Sequence, residues 1–222
     1  MSVPLHRRLV AEGLGTAMLL ATVVGSGIMG ARLANGTVGL ALLANAIATG
    51  AMLAVLILIF GPLSGAHFNP IVSLAEACRR NLRWSDLAPF TLAQLMGAIV
   101  GVWIAHIMFD QPVLEISDTI RTGPSQWFSE AVASFGLLLT IFGCMASAPK
   151  AVPYAVGLYI TAAYWFTAST SFANPAVTVA RAFSDTFAGI APQNVGAFVA
   201  AQIAGTIAAI ALRRWLWPLS RA

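Results

Sequence analysis

The sequence predicts an all-α membrane protein in which six tilted transmembrane helices and two re-entrant half-helices form an inverted repeat. Three observations predict it. The composition is 59% hydrophobic and only 9% charged, apolar windows of spanning length recur along the chain, and two Asn-Pro motifs sit in matching places of the two halves. A soluble domain carries about a quarter charged residues, so lipid is the solvent this composition suits.

The apolar windows run over 9–30, 38–60, 87–109, 128–148, 152–168 and 195–212. Roughly 17–25 residues cross a bilayer as helix, so each window suffices, the fifth narrowly. The second and third contain no Asp, Glu, Lys or Arg. The first is too long for the apolar core of a cleavable signal peptide and lacks a small-residue cleavage site. It also has a counterpart in the second half, which a disposable segment has no reason to have.

The 12 basic residues set a topology. Arg7 and Arg8 precede the first span, Arg79, Arg80 and Arg83 follow the second, and Lys150 follows the fourth. Arg213, Arg214 and Arg221 follow the sixth. With both termini cytoplasmic these nine share one side, leaving Arg32, Arg121 and Arg181 on the other with Asp110, Glu115 and Asp118. Cytoplasmic loops carry the excess of Lys and Arg, which orients the chain. The net charge of +4 is thus a topological signal, and no clustered basic-aromatic surface points to nucleic acid. Cys78 and Cys144 match no metal or disulfide spacing and read as packing residues.

The chain is written twice. Ser64-Gly65-Ala66-His67-Phe68-Asn69-Pro70-Ile71-Val72 corresponds to Ser169-Thr170-Ser171-Phe172-Ala173-Asn174-Pro175-Ala176-Val177 at an offset of 105. Ala11-Glu12 corresponds to Ser129-Glu130, and Gln94 to Gln202. Each half, about 9–109 and 127–217, holds three spans with one Asn-Pro segment between its second and third. Three is odd, so the second copy enters the membrane from the opposite side. The apolar stretches after the two motifs, 71–77 and 175–182, are too short to span. Proline suits the first turn of a helix, where its missing N–H has no partner to lose. Each motif therefore reads as an extended approach followed by a half-helix of about 8 residues, or roughly 12 Å. Two such rods meeting N-terminus to N-terminus cover most of a hydrocarbon core of about 30 Å. Non-helical backbone persists at membrane depth only where protein buries it or where it lines a water-filled cavity, so 62–69 and 169–174 predict a pore.

Ser64-Gly65-Ala66-His67-Phe68-Asn69-Pro70 and Asn174-Pro175-Ala176 closely resemble the paired signature of aquaporins and aquaglyceroporins, with Ile71 in place of the first motif's alanine. The resemblance extends from Glu12 to Gln202. It implies one channel unit over residues 1–222, a right-handed bundle, a pore in every subunit and a homotetramer. It implies passage of small neutral solutes and no catalysis, cofactor or metal. Short termini without a regulatory tail suit a bacterial inner membrane.

The motif has a physical role of its own. Asn69 and Asn174 offer amide N–H donors where two helix ends each add roughly half a positive charge. A water held there donates outward both ways, which interrupts a proton wire, and the potential repels cations. The asparagines also cap their helices. Glu12 and Glu130, ionisable groups within spans, are costly there; they read as acceptors for re-entrant backbone N–H groups. His67 reads equally as vestibule lining or as a tie from loop to helix. Gly97 and Gly101 read as helix-packing positions.

In the family four residues set selectivity at the outer constriction. Counting from the motifs gives Thr49, Ala162, Ser171 and Val177. The resemblance would place arginine at 177 and often histidine at 162, so this filter departs from it, with small uncharged residues throughout. A wider constriction with less positive potential is expected, suited to glycerol, urea, hydroxylated metalloids such as arsenite, and organoarsenicals, as well as water. Arg181 lies four residues after Val177 on the same helical face. It either reaches back toward the filter or, as the favoured reading, sits at the outer mouth beside Asp185. Its repeat counterpart is Glu76, at the inner mouth. The alternatives weighed are an ordinary water or glycerol pore and an ion-coupled secondary transporter. The latter also uses inverted repeats but needs ionisable groups at the midplane, where this chain has asparagines.

Overall fold

The computed structural model describes residues 3–217, and every regular element among them is helical. The chain runs α1 (Leu5–Leu33), α2 (Val38–Ser64), α3 (Pro70–Cys78), α4 (Trp84–Met108), α5 (Pro124–Ser147), α6 (Val152–Phe166), α7 (Pro175–Ala180) and α8 (Pro192–Leu216). Short 3-10 turns precede α6 and follow α7. Arg221, assigned above to the cytoplasmic side, lies outside the described residues.

Five helices, α1, α2, α4, α5 and α8, are long and apolar enough to cross a membrane. The fifth expected span is α6, whose 15 residues make it the short one, about 22 Å at 1.5 Å per residue. The half-helices appear where the motifs put them. Asn69 and Asn174 are extended N-caps, and Pro70 and Pro175 are the first helical residues. Proline removes a donor that a helix start leaves unpaired, while the asparagine oxygen accepts one that remains.

Packing repeats in the same sense as the sequence. Helix α1 lies along α4 and α2, and α5 lies along α8 and α6. Helix α3 touches α4 and α8, α7 touches α8 and α4, and the two half-helices touch each other. Close approach depends on glycine. A Cβ on Gly97 would stand 2.2 Å from the carbonyl oxygen of Gly13, and one on Gly205, its counterpart, 2.1 Å from that of Ala131. Small residues at such crossings let dispersion contacts and shared polar groups hold helices together where lipid supplies no hydrophobic drive. Across the α1–α2 contact the Asn45 amide donates to the Val23 carbonyl at 2.8 Å.

The distribution of polarity is inside-out. Glu12, Gln94, Glu130 and Gln202 are wholly buried, while Leu158 is 71% exposed and Ile107 66%. A water-soluble protein would not expose such side chains on nearly every long helix; a bilayer accepts them.

Candidate functional site: a conduit between two half-helices

Two extended segments, 65–69 and 170–174, converge at the centre of the bundle. The Asn69 amide donates to the Ala173 carbonyl and the Asn174 amide to the Phe68 carbonyl, each at 2.8 Å. Each asparagine oxygen meanwhile accepts from its own helix, from Ile71 N–H at 3.1 Å and from Ala176 N–H at 3.0 Å. One amide hydrogen of each asparagine thereby locks the opposite loop, and a second is left over.

The segments take an uncommon backbone form. Gly65, Ala66 and Phe68, and in the second copy Thr170, Ser171 and Ala173, all have positive φ. Five of these six carry a side chain, and such conformations persist only when the surroundings over-determine them. Two carboxylates do so. Glu12 accepts from Ser64 Oγ at 2.6 Å, from His67 N–H at 3.0 Å, from Phe68 N–H at 2.7 Å and from Gln94 at 2.8 Å. Glu130 accepts from the N–H groups of Phe172 and Ala173 at 2.8 and 2.9 Å, and from Gln202 at 2.7 Å. The glutamines carry the tie onward to the half-helices, Gln94 to Ser73 and Gln202 to Thr178. Every N–H so engaged turns its peptide's carbonyl elsewhere. Among the described residues no donor reaches the carbonyls of residues 65–67 or 170–172.

These segments line a cavity of about 270 Å3. It runs from Arg8, Glu76 and Asn81 past Asn69 and Asn174 to Ser171 and Arg181. Its remaining wall is largely apolar, with Val23, Leu53 and Ile160 among the lining residues. His67 lines it while its Nδ1 stands 3.0 Å from Ser73 Oγ, so lining and tying coincide in one residue. Glu76 accepts from Arg79 at 2.5 Å and from Asn81 at 2.7 Å.

Three of the four expected constriction residues, Thr49, Ser171 and Val177, line the cavity. Ala162 does not. It lies on the exposed outer face of α6, and the inward stripe of that helix is Val156, Ile160 and Tyr164, one turn apart. Tyr164 takes the place assigned to Ala162, with its hydroxyl 3.3 Å from Thr49 Oγ1. A count from the motif fixes a position only if the helix has the expected rotation, and in α6 it is Tyr164 rather than Ala162 that faces the cavity.

The expected pairing of Arg181 with Asp185 also fails. Arg181 is 2% exposed, its guanidinium lies 3.4 Å from the centre of the Phe172 ring, and its Nε donates to the Ala188 carbonyl. Asp185 instead accepts from the N–H of Asp118. Sequence reasoning passed over Phe172 and Arg121. Arg121 lies 5.2 Å from the same ring and donates to the Gly189 and Phe187 carbonyls. Burial lowers the pKa of Arg121 from its ordinary value.

Half-helices opposed at their N-termini inside an apolar bundle, with a lined cavity between them, define a membrane channel. Comparison with known proteins agrees. The model of the major intrinsic protein family matches residues 1–153. The chain is 58% identical over 212 residues to the aquaglyceroporin AqpS of Rhizobium meliloti (strain 1021), covering 96% of this chain and 91% of that protein. It is 36% identical over 105 residues to the glycerol uptake facilitator protein of Streptococcus pneumoniae (strain ATCC BAA-255 / R6), covering 42% and 45%. The X-ray structure of the aquaglyceroporin from Plasmodium falciparum superposes with a TM-score of 0.73, at 20% identity, over 96% of this chain and 95% of that one. The chain belongs to the major intrinsic protein family. It is a passive, multi-pass channel for small solutes with an aquaporin-like fold.

Replacing Glu12 or Glu130 by alanine strands several buried donors and should cost at least ~3 kcal/mol, seen as loss of monodisperse protein on size exclusion; the corresponding glutamine variants should be milder. Tyr164→Ala should raise glycerol flux in vesicles several-fold, whereas Ala162→Trp should leave it unchanged. A blocked Ala162→Trp channel would return Ala162 to the conduit.

Proposed function

We propose that this channel carries neutral hydroxylated solutes larger than water, glycerol and trihydroxy metalloids such as arsenous acid among them, with water as a companion. The observation that carries the reading is the make-up of the constriction. Hydroxyls of Thr49, Tyr164 and Ser171 share the cavity with the apolar side chains of Val177 and Ile160. A polyol has hydroxyls to satisfy and a carbon skeleton to shelter, and a wall with both characters suits it better than water alone. Uncharged arsenous acid offers the same outline of oxygens around a compact centre.

In this reading the Asn69–Pro70–Ile71 and Asn174–Pro175–Ala176 motifs hold the solute file at mid-pore. Glu12 and Glu130 support the loops, and His67, Glu76 and Arg181 belong to the vestibules. The chain works as one channel unit, assembled as a homotetramer in a bacterial inner membrane with both termini cytoplasmic. The excess of Lys and Arg on that side supports the orientation.

Proteoliposomes should take up glycerol and arsenite faster than empty vesicles, with a rate linear in the gradient and indifferent to proton or sodium gradients. Equal rates with intact protein present would sink the solute assignment. Val177→Arg should narrow the constriction and slow glycerol and arsenite far more than water, read by stopped-flow light scattering on the same vesicles.

A further inference from the structure

Two buried polar atoms of residues that line the cavity, Arg181 Nη1 and Ser171 Oγ, have no hydrogen-bond partner among the described residues. Both residues line the cavity, and they are 2% and 3% exposed. We propose that together they form the polar half of a solute-binding subsite. Arg181 there supplies both a donor to the solute oxygen and a fixed positive charge on the vestibule side of the constriction, one helical turn beyond Val177. The inference rests on the channel reading above.

The repeat shows that neither atom has to be left open. The position equivalent to Arg181 in the first half is Glu76, which two side chains satisfy. The position equivalent to Ser171 is Ala66, which has no polar group to satisfy. The second loop thus carries a charge and a hydroxyl that the shared architecture does not require.

A guanidinium is always charged, and burying it without an anion is expensive. Among the described residues Arg181 forms no ion pair. The face of Phe172 and the carbonyl of Ala188 hold it instead. Stacking fixes the plane of the guanidinium while leaving its remaining N–H groups free at the edge. Val177 lies a turn nearer the asparagines and lines the same cavity. A solute against this stretch of wall meets an N–H donor and a hydroxyl with the methyl groups of Val177 beside them. The matching chemistry is a small neutral molecule with several hydroxyls. A cation meets the field of Arg181 at close range in a poorly screened setting.

The test uses the full chain in vesicles of phosphatidylcholine and phosphatidylglycerol. Three quantities are measured: glycerol permeability, water permeability and potassium leak. In Arg181→Gln the potassium leak should rise roughly tenfold or more, since a unit charge a few ångströms away is worth well over 1 kcal/mol at an intermediate dielectric. The glycerol-to-water ratio should fall about fivefold with the loss of a charge-assisted donor. Arg181→Lys should keep the leak low while the ratio stays depressed, because lysine restores the charge but not the stacked donor. Ser171→Ala removes a hydroxyl that holds nothing in the protein, so folding should be untouched. It should lower the ratio by about threefold with the leak unchanged.

Wild-type leak and ratio in a conducting Arg181→Gln channel would overturn the proposal. So would a lysine variant as leaky as the glutamine one. If arginine variants fail to fold, an unchanged ratio in Ser171→Ala overturns it alone. If the wild-type protein passes water but no glycerol, the solute assignment above falls, and the potassium leak still decides the role of the charge.

Discussion

The structure depends on one constraint: chain that leaves the helix inside a bilayer must find its hydrogen bonds within the protein. Here two carboxylates meet it. Glu12 and Glu130 accept the N–H groups of two left-handed loop segments, and the glutamines Gln94 and Gln202 fasten those carboxylates to the half-helices. With the N–H groups committed, carbonyls are what remains to face the conduit. A negative charge that would be a liability elsewhere in the membrane is here surrounded by donors, so its desolvation is largely offset.

The asparagine pair completes this arrangement without duplicating it. Its cross-loop bonds, Asn69 to Ala173 and Asn174 to Phe68, join the two halves where the re-entrant segments meet. Each bond joins one repeat to the other, so neither half-helix is positioned by its own repeat alone. Phe68 shows the tightness of the fit, because a Cβ on Gly15 would overlap its ring at 2.0 Å.

Much of this was legible in the sequence, for physical reasons that differ by element. Long helices announce themselves because lipid demands uninterrupted apolar length. The half-helices are marked by Asn-Pro, whose cap and first turn are local chemistry. Glu12, Glu130, Gln94 and Gln202 stand out as polar residues in apolar surroundings. The constriction was harder. In α6 the buried and exposed faces are equally apolar, so nothing in composition separates Ala162 from Tyr164, and the rotation of that helix decides. Arg181 was ambiguous because either of two apolar or polar partners lay within reach of so long a side chain. Its actual partners, the Phe172 face and the Ala188 carbonyl, depend on the fold of the outer loop. The positive-φ backbone at Ala66, Phe68, Thr170, Ser171 and Ala173 had no glycine to signal it.

Glu76 and Arg181 occupy equivalent places in the two repeats, yet Glu76 is paired with Arg79 while Arg181 has no ion partner among the described residues, so the two ends of the cavity are unlike. Such a conduit is asymmetric from end to end. Detailed balance still forbids it from pumping: at equal concentrations on both sides the opposing fluxes of a neutral solute cancel, whatever the two ends are made of. What unlike ends can alter is occupancy, the fraction of time each entrance holds a waiting molecule. At high concentration, therefore, the two faces would saturate at different levels even though the permeability measured in dilute solution is the same from either side.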